Sequence, residues 1–69
     1  MRLSTRNQLA ATVQEVTEGN VMATVKVVLG DGQEVTAAIT REAVEDLGLA
    51  AGDRVTVLVK ATEVMLAKD

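Results

Sequence analysis

Sixty-nine residues form one domain at most, and a core of that size supplies only about 3–5 kcal/mol of stability on its own. The chain has no histidine and no cysteine, which excludes disulfides, the common zinc sites, thiol redox chemistry and Ser-His-Asp or Cys-His nucleophiles. A net charge of -3 and the absence of Phe, Tyr and Trp argue against nucleic acid, which demands a basic surface and, for single strands, stacking platforms. Hydrophobic residues make up 48% of the chain, yet the core must be built from Val, Leu, Ile, Met and Ala, each burying a modest area. Subunit association is therefore the expected source of extra stability.

No segment approaches the ~18–20 apolar residues of a membrane helix. Met1-Arg2-Leu3-Ser4-Thr5-Arg6 has no apolar run behind it, so it does not read as a signal peptide. A reducing, cytoplasmic compartment is expected.

In chain order, the first element is a strand. Leu9, Ala11 and Val13 alternate, but the next apolar residue is Val16, a one-residue slip that predicts a bulge or bend. Glu18-Gly19-Asn20 turns the chain. Val21, Ala23, Val25, Val27 and Leu29 then share one face of a second strand. Gly30-Asp31-Gly32 predicts a hairpin turn into a third strand carrying Val35, Ala37 and Ile39. The period changes between Thr40 and Leu49: Thr40 suits an N-cap, Ala43, Val44 and Leu47 fall on one helical face, and Gly48 is placed to end the helix. Leu49 to Asp53 connects to a fourth strand with Val55, Val57 and Val59. A fifth is expected over Thr62 to Ala67, with Val64 and Leu66 on one face. The predicted fold is all-β, a five-stranded OB-like small barrel with one short helix between strands three and four, and residues 1–69 read as a single domain.

The ten carboxylates are scattered over turns, helix and strand ends and read as solvated surface. Gly30-Asp31-Gly32 lacks the successive oxygen ligands of a calcium loop. No catalytic role is expected, and no protein side chains that ligate a metal directly. Donors are what concentrate. Ser4-Thr5-Arg6-Asn7-Gln8 gathers hydroxyls, a guanidinium and amides, Thr40 stands at a helix start, and Lys60 closes a strand before Ala61-Thr62. This set offers N–H and O–H groups with two positive charges and no carboxylate, which suits a tetrahedral dianion. The plainer reading is a loose chain end and a solvated lysine.

These residues also resemble a known family. Ser4-Thr5-Arg6-Asn7-Gln8-Leu9 is similar to the opening signature of the molbindins. Ile39-Thr40-Arg41-Glu42-Ala43-Val44-Glu45-Asp46-Leu47-Gly48-Leu49 resembles their helix segment. Gly52-Asp53 and Val59-Lys60-Ala61-Thr62-Glu63-Val64-Met65 extend the match over the whole chain. The resemblance implies a cytoplasmic binder of molybdate or tungstate for molybdenum homeostasis. It needs no catalytic cofactor and assembles as a homo-hexamer, a trimer of dimers, with the oxyanion between subunits. It further implies that Ser4, Thr5, Arg6 and Asn7 donate from one subunit. Thr40, Lys60, the Ala61 backbone and Thr62 would face them from a neighbour. Ala43 stands where relatives often carry Ser, leaving only its backbone N–H as a donor. An oligomeric barrel that serves as an interaction module without an anion is the alternative.

Overall fold

The alternation of Val with polar residues gives each strand one face that must leave water, and the chain answers with a single curled antiparallel sheet. The computed structural model describes residues 5–69. Its elements are β1 (Asn7–Glu18), β2 (Met22–Leu29), β3 (Glu34–Thr40), α1 (Arg41–Leu47) and β4 (Arg54–Val59), followed by a 3-10 turn over Ala61–Glu63. The sheet order is β3-β2-β1-β4, so β1 is central and serves two partners in succession. Its first half pairs with β4, from Asn7 opposite Val59 to Thr12 opposite Arg54. Its second half pairs with β2, from Ala11 opposite Leu29 to Glu18 opposite Ala23.

The handover between partners sits at the slip seen in the sequence. The β1–β2 register shifts between Val13 and Glu15, leaving Gln14 as the extra residue of a bulge that bends the strand. There the Val13 N–H donates to the Asp53 carbonyl and the Gly52 N–H donates to the Val13 carbonyl, both at 2.8 Å. Gly52 adopts φ 95°, a region that only glycine enters freely. The Asp53 carboxylate accepts the Ala50 N–H at 2.9 Å, so this short loop is pinned to the bend of β1.

The β2–β3 hairpin has a three-residue loop. Gly32 N–H donates to the Leu29 carbonyl at 2.9 Å, and Leu29 N–H donates to the Gln33 carbonyl at 2.8 Å. With Gly32 at φ 89°, this is a turn followed by a left-handed residue. Asp31 accepts the Gln33 backbone N–H and its side-chain amide. These bonds hold the Asp31 carboxyl below the usual range of an aspartate.

The core is small and made only of short side chains: Ala11, Val13, Ala23, Val25, Val27 and Val44 are buried, and among the described residues no polar or charged residue is. Val35, Ala37 and Ile39 of β3 and Val55 and Val57 of β4 lie partly buried around it. Helix α1 packs on β2 and β3. Thr40 caps it, accepting the Ala43 N–H at 3.0 Å, and Gly48 ends it at φ 62°. Seven residues bury one side chain, Val44. Leu47, expected on the same face, is 67% exposed, because the helix stops before a second turn reaches the sheet and Leu49 packs against the core instead.

The larger departure is at the C-terminal end. The expected fifth strand does not form: among the described residues there are four strands, and the chain after the 3-10 turn pairs with none of them. Met65 and Leu66 are 89% and 95% exposed. One face of Val64 and Leu66 has the pattern of a strand, but among the described residues little covers it. Among the described residues, nothing pairs with the outer edges of β3 and β4.

Candidate functional site

Two turns of chain on either side of the β1–β4 ladder make the site. Asn7 opposes Val59 at the end of the ladder, so the residues just before Asn7 and just after Val59 leave the sheet side by side. They form an open cleft of about 330 Å³ lined by Thr5, Arg6, Lys60, Ala61 and Thr62. Five of the residues singled out by sequence thus meet in one place. Among the described residues, neither Arg6 nor Lys60 has an ion-pair partner. The cleft walls carry two cations, two hydroxyls and no carboxylate.

The backbone adds to this. Lys60 precedes the 3-10 turn, whose carbonyls are used by Glu63 N–H to Lys60 at 2.8 Å and Val64 N–H to Ala61 at 3.4 Å. The N–H groups of Ala61 and Thr62, at the start of the turn, donate to no described backbone carbonyl. Orphan donors at a turn start and unpaired cations are the equipment for holding an anion.

Other expected residues fall elsewhere. The Asn7 side-chain amide donates to the Val59 carbonyl at 3.0 Å. It clamps the mouth of the ladder and fixes where Lys60 begins, and it does not line the cleft. Ser4 lies outside the described residues. Thr40 and Ala43 are at the far corner of the sheet: Thr40 opposes Met22 beyond the Glu18 end of β1, whereas the cleft is at the Asn7 end. Eleven strand steps separate the two ends of β1, which at about 3.3 Å per residue is about 36 Å along the strand. Thr40 borders its own recess, with Asn20, Val21, Arg41, Glu42 and Glu45. Two carboxylates stand in that recess, and Arg41 is already paired with Glu45 at 3.0 Å, so by itself it does not suit a dianion.

Two further features of these residues bear on the expected site. The Ala43 N–H is not a spare donor, because the Thr40 hydroxyl oxygen accepts it. The Thr40 hydroxyl hydrogen has no acceptor among the described residues and stays able to donate. Lys60, Ala61 and Thr62 share a cleft with Thr5 and Arg6 of their own chain, whereas the resemblance implied that they face those residues from a neighbour.

A family model described as the TOBE domain matches residues 3–66. The chain belongs to the TOBE-domain family. It is 49% identical over 67 residues to the molybdenum-pterin-binding protein MopA of Rhodobacter capsulatus, which covers 97% of this chain and 25% of that protein; the chain spans about a quarter of that relative. It is 39% identical over 66 residues to molybdenum-pterin-binding protein 3 of Clostridium pasteurianum, covering 96% of this chain and 97% of that one. A molybdate-binding protein from Sporomusa ovata superposes with a TM-score of 0.94 at 50% identity, over 99% of this chain and 100% of the other. The molbindin resemblance and the small all-β, barrel-like class with one short helix agree with these relatives.

Within this TOBE-domain chain, one positioning residue escaped the sequence reading. The Gln8 side-chain amide donates to the Thr5 carbonyl at 3.0 Å, holding the wall that carries Thr5 and Arg6. The signal was available: consecutive amides, Asn7 and Gln8, at a strand start serve to tie backbone carbonyls. Among the described residues, no three acidic side chains gather as metal ligands.

Proposed function

We propose that this chain is a single-domain, non-catalytic binder of molybdate and tungstate that holds the oxyanion in the cleft of Thr5, Arg6, Lys60, Ala61 and Thr62. The observation that carries the reading is the composition of that cleft, two cations and two hydroxyls with no carboxylate, both cations without an ion-pair partner among the described residues. A fully ionised tetrahedral dianion accepts hydrogen bonds and donates none, so it fits such walls. A protonated phosphate brings an O–H that finds no carboxylate there and must compete for a threonine hydroxyl, and a poorly matched polar group is penalised. Sulfate has the same charge but shorter bonds, so cavity size is what separates it from molybdate. The names of the relatives, molybdenum-pterin-binding and molybdate-binding proteins, support the same ligand.

The site is completed between copies. Thr40, with a hydroxyl hydrogen to donate, is too far from the cleft of its own chain to share an anion with it, and a second copy is the way to bring the two together. The surface area supports association independently. The chain exposes 5639 Å², about a third more than the ~4,200 Å² expected of a folded monomer of its mass. The excess, roughly 1,400 Å², approaches two standard interfaces of ~800 Å² per partner. Two interfaces per chain are what a trimer of dimers needs, so the excess supports the hexamer that the resemblance implies. The apolar tail Val64–Ala67 then finds its cover on a second copy, adding the fifth strand at an open sheet edge. With no cysteine to protect, the cytoplasm suits a role in molybdenum storage or homeostasis.

Isothermal titration calorimetry with sodium molybdate, alongside sodium sulfate, tests the reading. Saturable molybdate binding at least tenfold tighter than sulfate is expected. Equal affinities would overturn the size argument, and no heat with either anion would overturn the binding site itself.

A further inference from the structure

We propose that the Asn7 side-chain amide sets the gap between the two walls of the cleft, and with it the preference for molybdate over sulfate; this rests on the binding reading above. Asn7 is out of keeping with its position. Side chains two apart on a strand share a face, so Asn7 falls with Leu9, Ala11 and Val13 on the side of β1 that turns toward the core, where Ala11 and Val13 are buried. Its register partner Val59 continues the half-buried series Val55, Val57, Val59 of β4. An apolar side chain at position 7 would extend this seam without a polar group to satisfy. The half-buried Asn7 instead donates its amide hydrogen to the Val59 carbonyl at 3.0 Å.

The place of that bond gives it its role. Asn7 adjoins Arg6 and Val59 adjoins Lys60, so the bond joins the walls one residue behind each cation. Each wall is braced within itself. The Gln8 amide donates to the Thr5 carbonyl at 3.0 Å on one side, and the Glu63 N–H donates to the Lys60 carbonyl at 2.8 Å on the other. Among the described residues, no other side-chain hydrogen bond and no ion pair crosses between the walls. Two cations on walls free to move would close on whichever dianion is present, because Coulomb attraction between fixed charges depends only on their separation. Walls held at one separation fit the larger anion and leave the smaller one with donors beyond hydrogen-bonding distance. Donors ordered before the ligand arrives also bind it better than donors that must be ordered with it.

The test is Asn7→Leu in the full chain, which removes the donor, keeps the branch at Cγ and suits the apolar face. Circular dichroism melts check its fold, and Asn7→Ala takes its place if it does not fold. Calorimetric titrations with sodium molybdate and with sodium sulfate then give the ratio of the two affinities. That ratio is expected to fall roughly two- to tenfold, the worth of one ordinary hydrogen bond, mainly through weaker molybdate binding. Asn7→Gln keeps the amide on a longer stem and should recover part of the ratio, a rescue that a purely structural role would not give. The Val59 carbonyl-carbon NMR resonance of the anion-free protein should shift in Asn7→Leu, since the bond is in place before any ligand. An unchanged ratio in the folded variant, or an equal loss for both anions, overturns the role of Asn7 and leaves the binding site standing. If the wild type takes up no molybdate, the function reading falls, and the role of Asn7 with it.

Discussion

Replacing Lys60 by Ala separates recognition from folding more cleanly than any other change in this molecule. Lys60 is exposed, caps nothing with its side chain, and has no ion-pair partner among the described residues. Its removal should leave folding stability within about 0.5 kcal/mol of wild type, the usual range for a surface position free of special contacts. Binding is another matter. A hydrogen bond to a charged group is worth about 1.5–3 kcal/mol, and water in an open cleft reduces this, so about 1–2 kcal/mol is expected. That range corresponds to molybdate binding weaker by roughly five- to thirtyfold.

The assay is calorimetric titration at a protein concentration well above that needed for assembly, with far-ultraviolet circular dichroism melts run on the same samples. Lys60→Arg should retain much of the affinity, since charge and donors remain, although a planar fork replaces a point charge. Combined with Arg6→Ala, the losses should not add, because both cations address one small anion. Wild-type affinity in the Lys60→Ala variant would refute the assignment of the cleft. A marked drop in melting temperature would show that Lys60 has a structural role absent from the geometry described here.

Val13, 2% exposed at the bend of β1, should lose about 1.5–3 kcal/mol on substitution by Ala, seen in denaturant melts; in a core worth only a few kcal/mol, this change leaves much of the chain unfolded. Thr40→Ala should cost about 1 kcal/mol through the lost cap on Ala43, whereas Thr40→Ser should restore it; if the Ala variant melts like wild type, the cap is idle. Gly52→Ala forces a side chain to φ 95° and should destabilise by about 1 kcal/mol or more, read by the same melts. The Asp31 carboxyl is held low by Gln33, so its contribution is present above the ordinary carboxylate pKa and is lost as pH falls through the lowered one. A carboxyl-carbon NMR titration should show Asp31 titrating below an unstructured aspartate, and Gln33→Ala should raise it part of the way, because the backbone N–H of residue 33 still donates to the carboxylate.

Much of this molecule was legible because local chemistry decided it. The slip between Val13 and Val16 marked the bulge at Gln14, Gly30-Asp31-Gly32 marked the hairpin, and Thr40 with Gly48 bracketed the helix. Each is a backbone requirement that a few adjacent residues meet alone. The donor cluster was legible too, as residue types. Its geometry was not, because Thr5 and Arg6 meet Lys60 only through the pairing of Asn7 with Val59, 52 residues apart. Pairing of that range leaves no local mark. For the same reason Thr40 and Ala43 read as part of one donor set although the sheet sends them to the opposite corner.

The fifth strand shows most clearly what a period of two can and cannot say. Alternation at Val64 and Leu66 specifies that one face will leave water, but it is silent on which sheet receives it. The face of an isolated chain is already used: β1 divides itself between β2 and β4, and the core it closes holds only Val and Ala. A chain with two open edges and an uncovered apolar tail risks unregulated edge pairing. Closed association of copies removes both liabilities at once, since the tail of one can cover an edge of another. The turn that precedes this tail, at Lys60–Thr62, also lines the anion cleft, so the ligand site and the uncovered tail meet in one short stretch of chain.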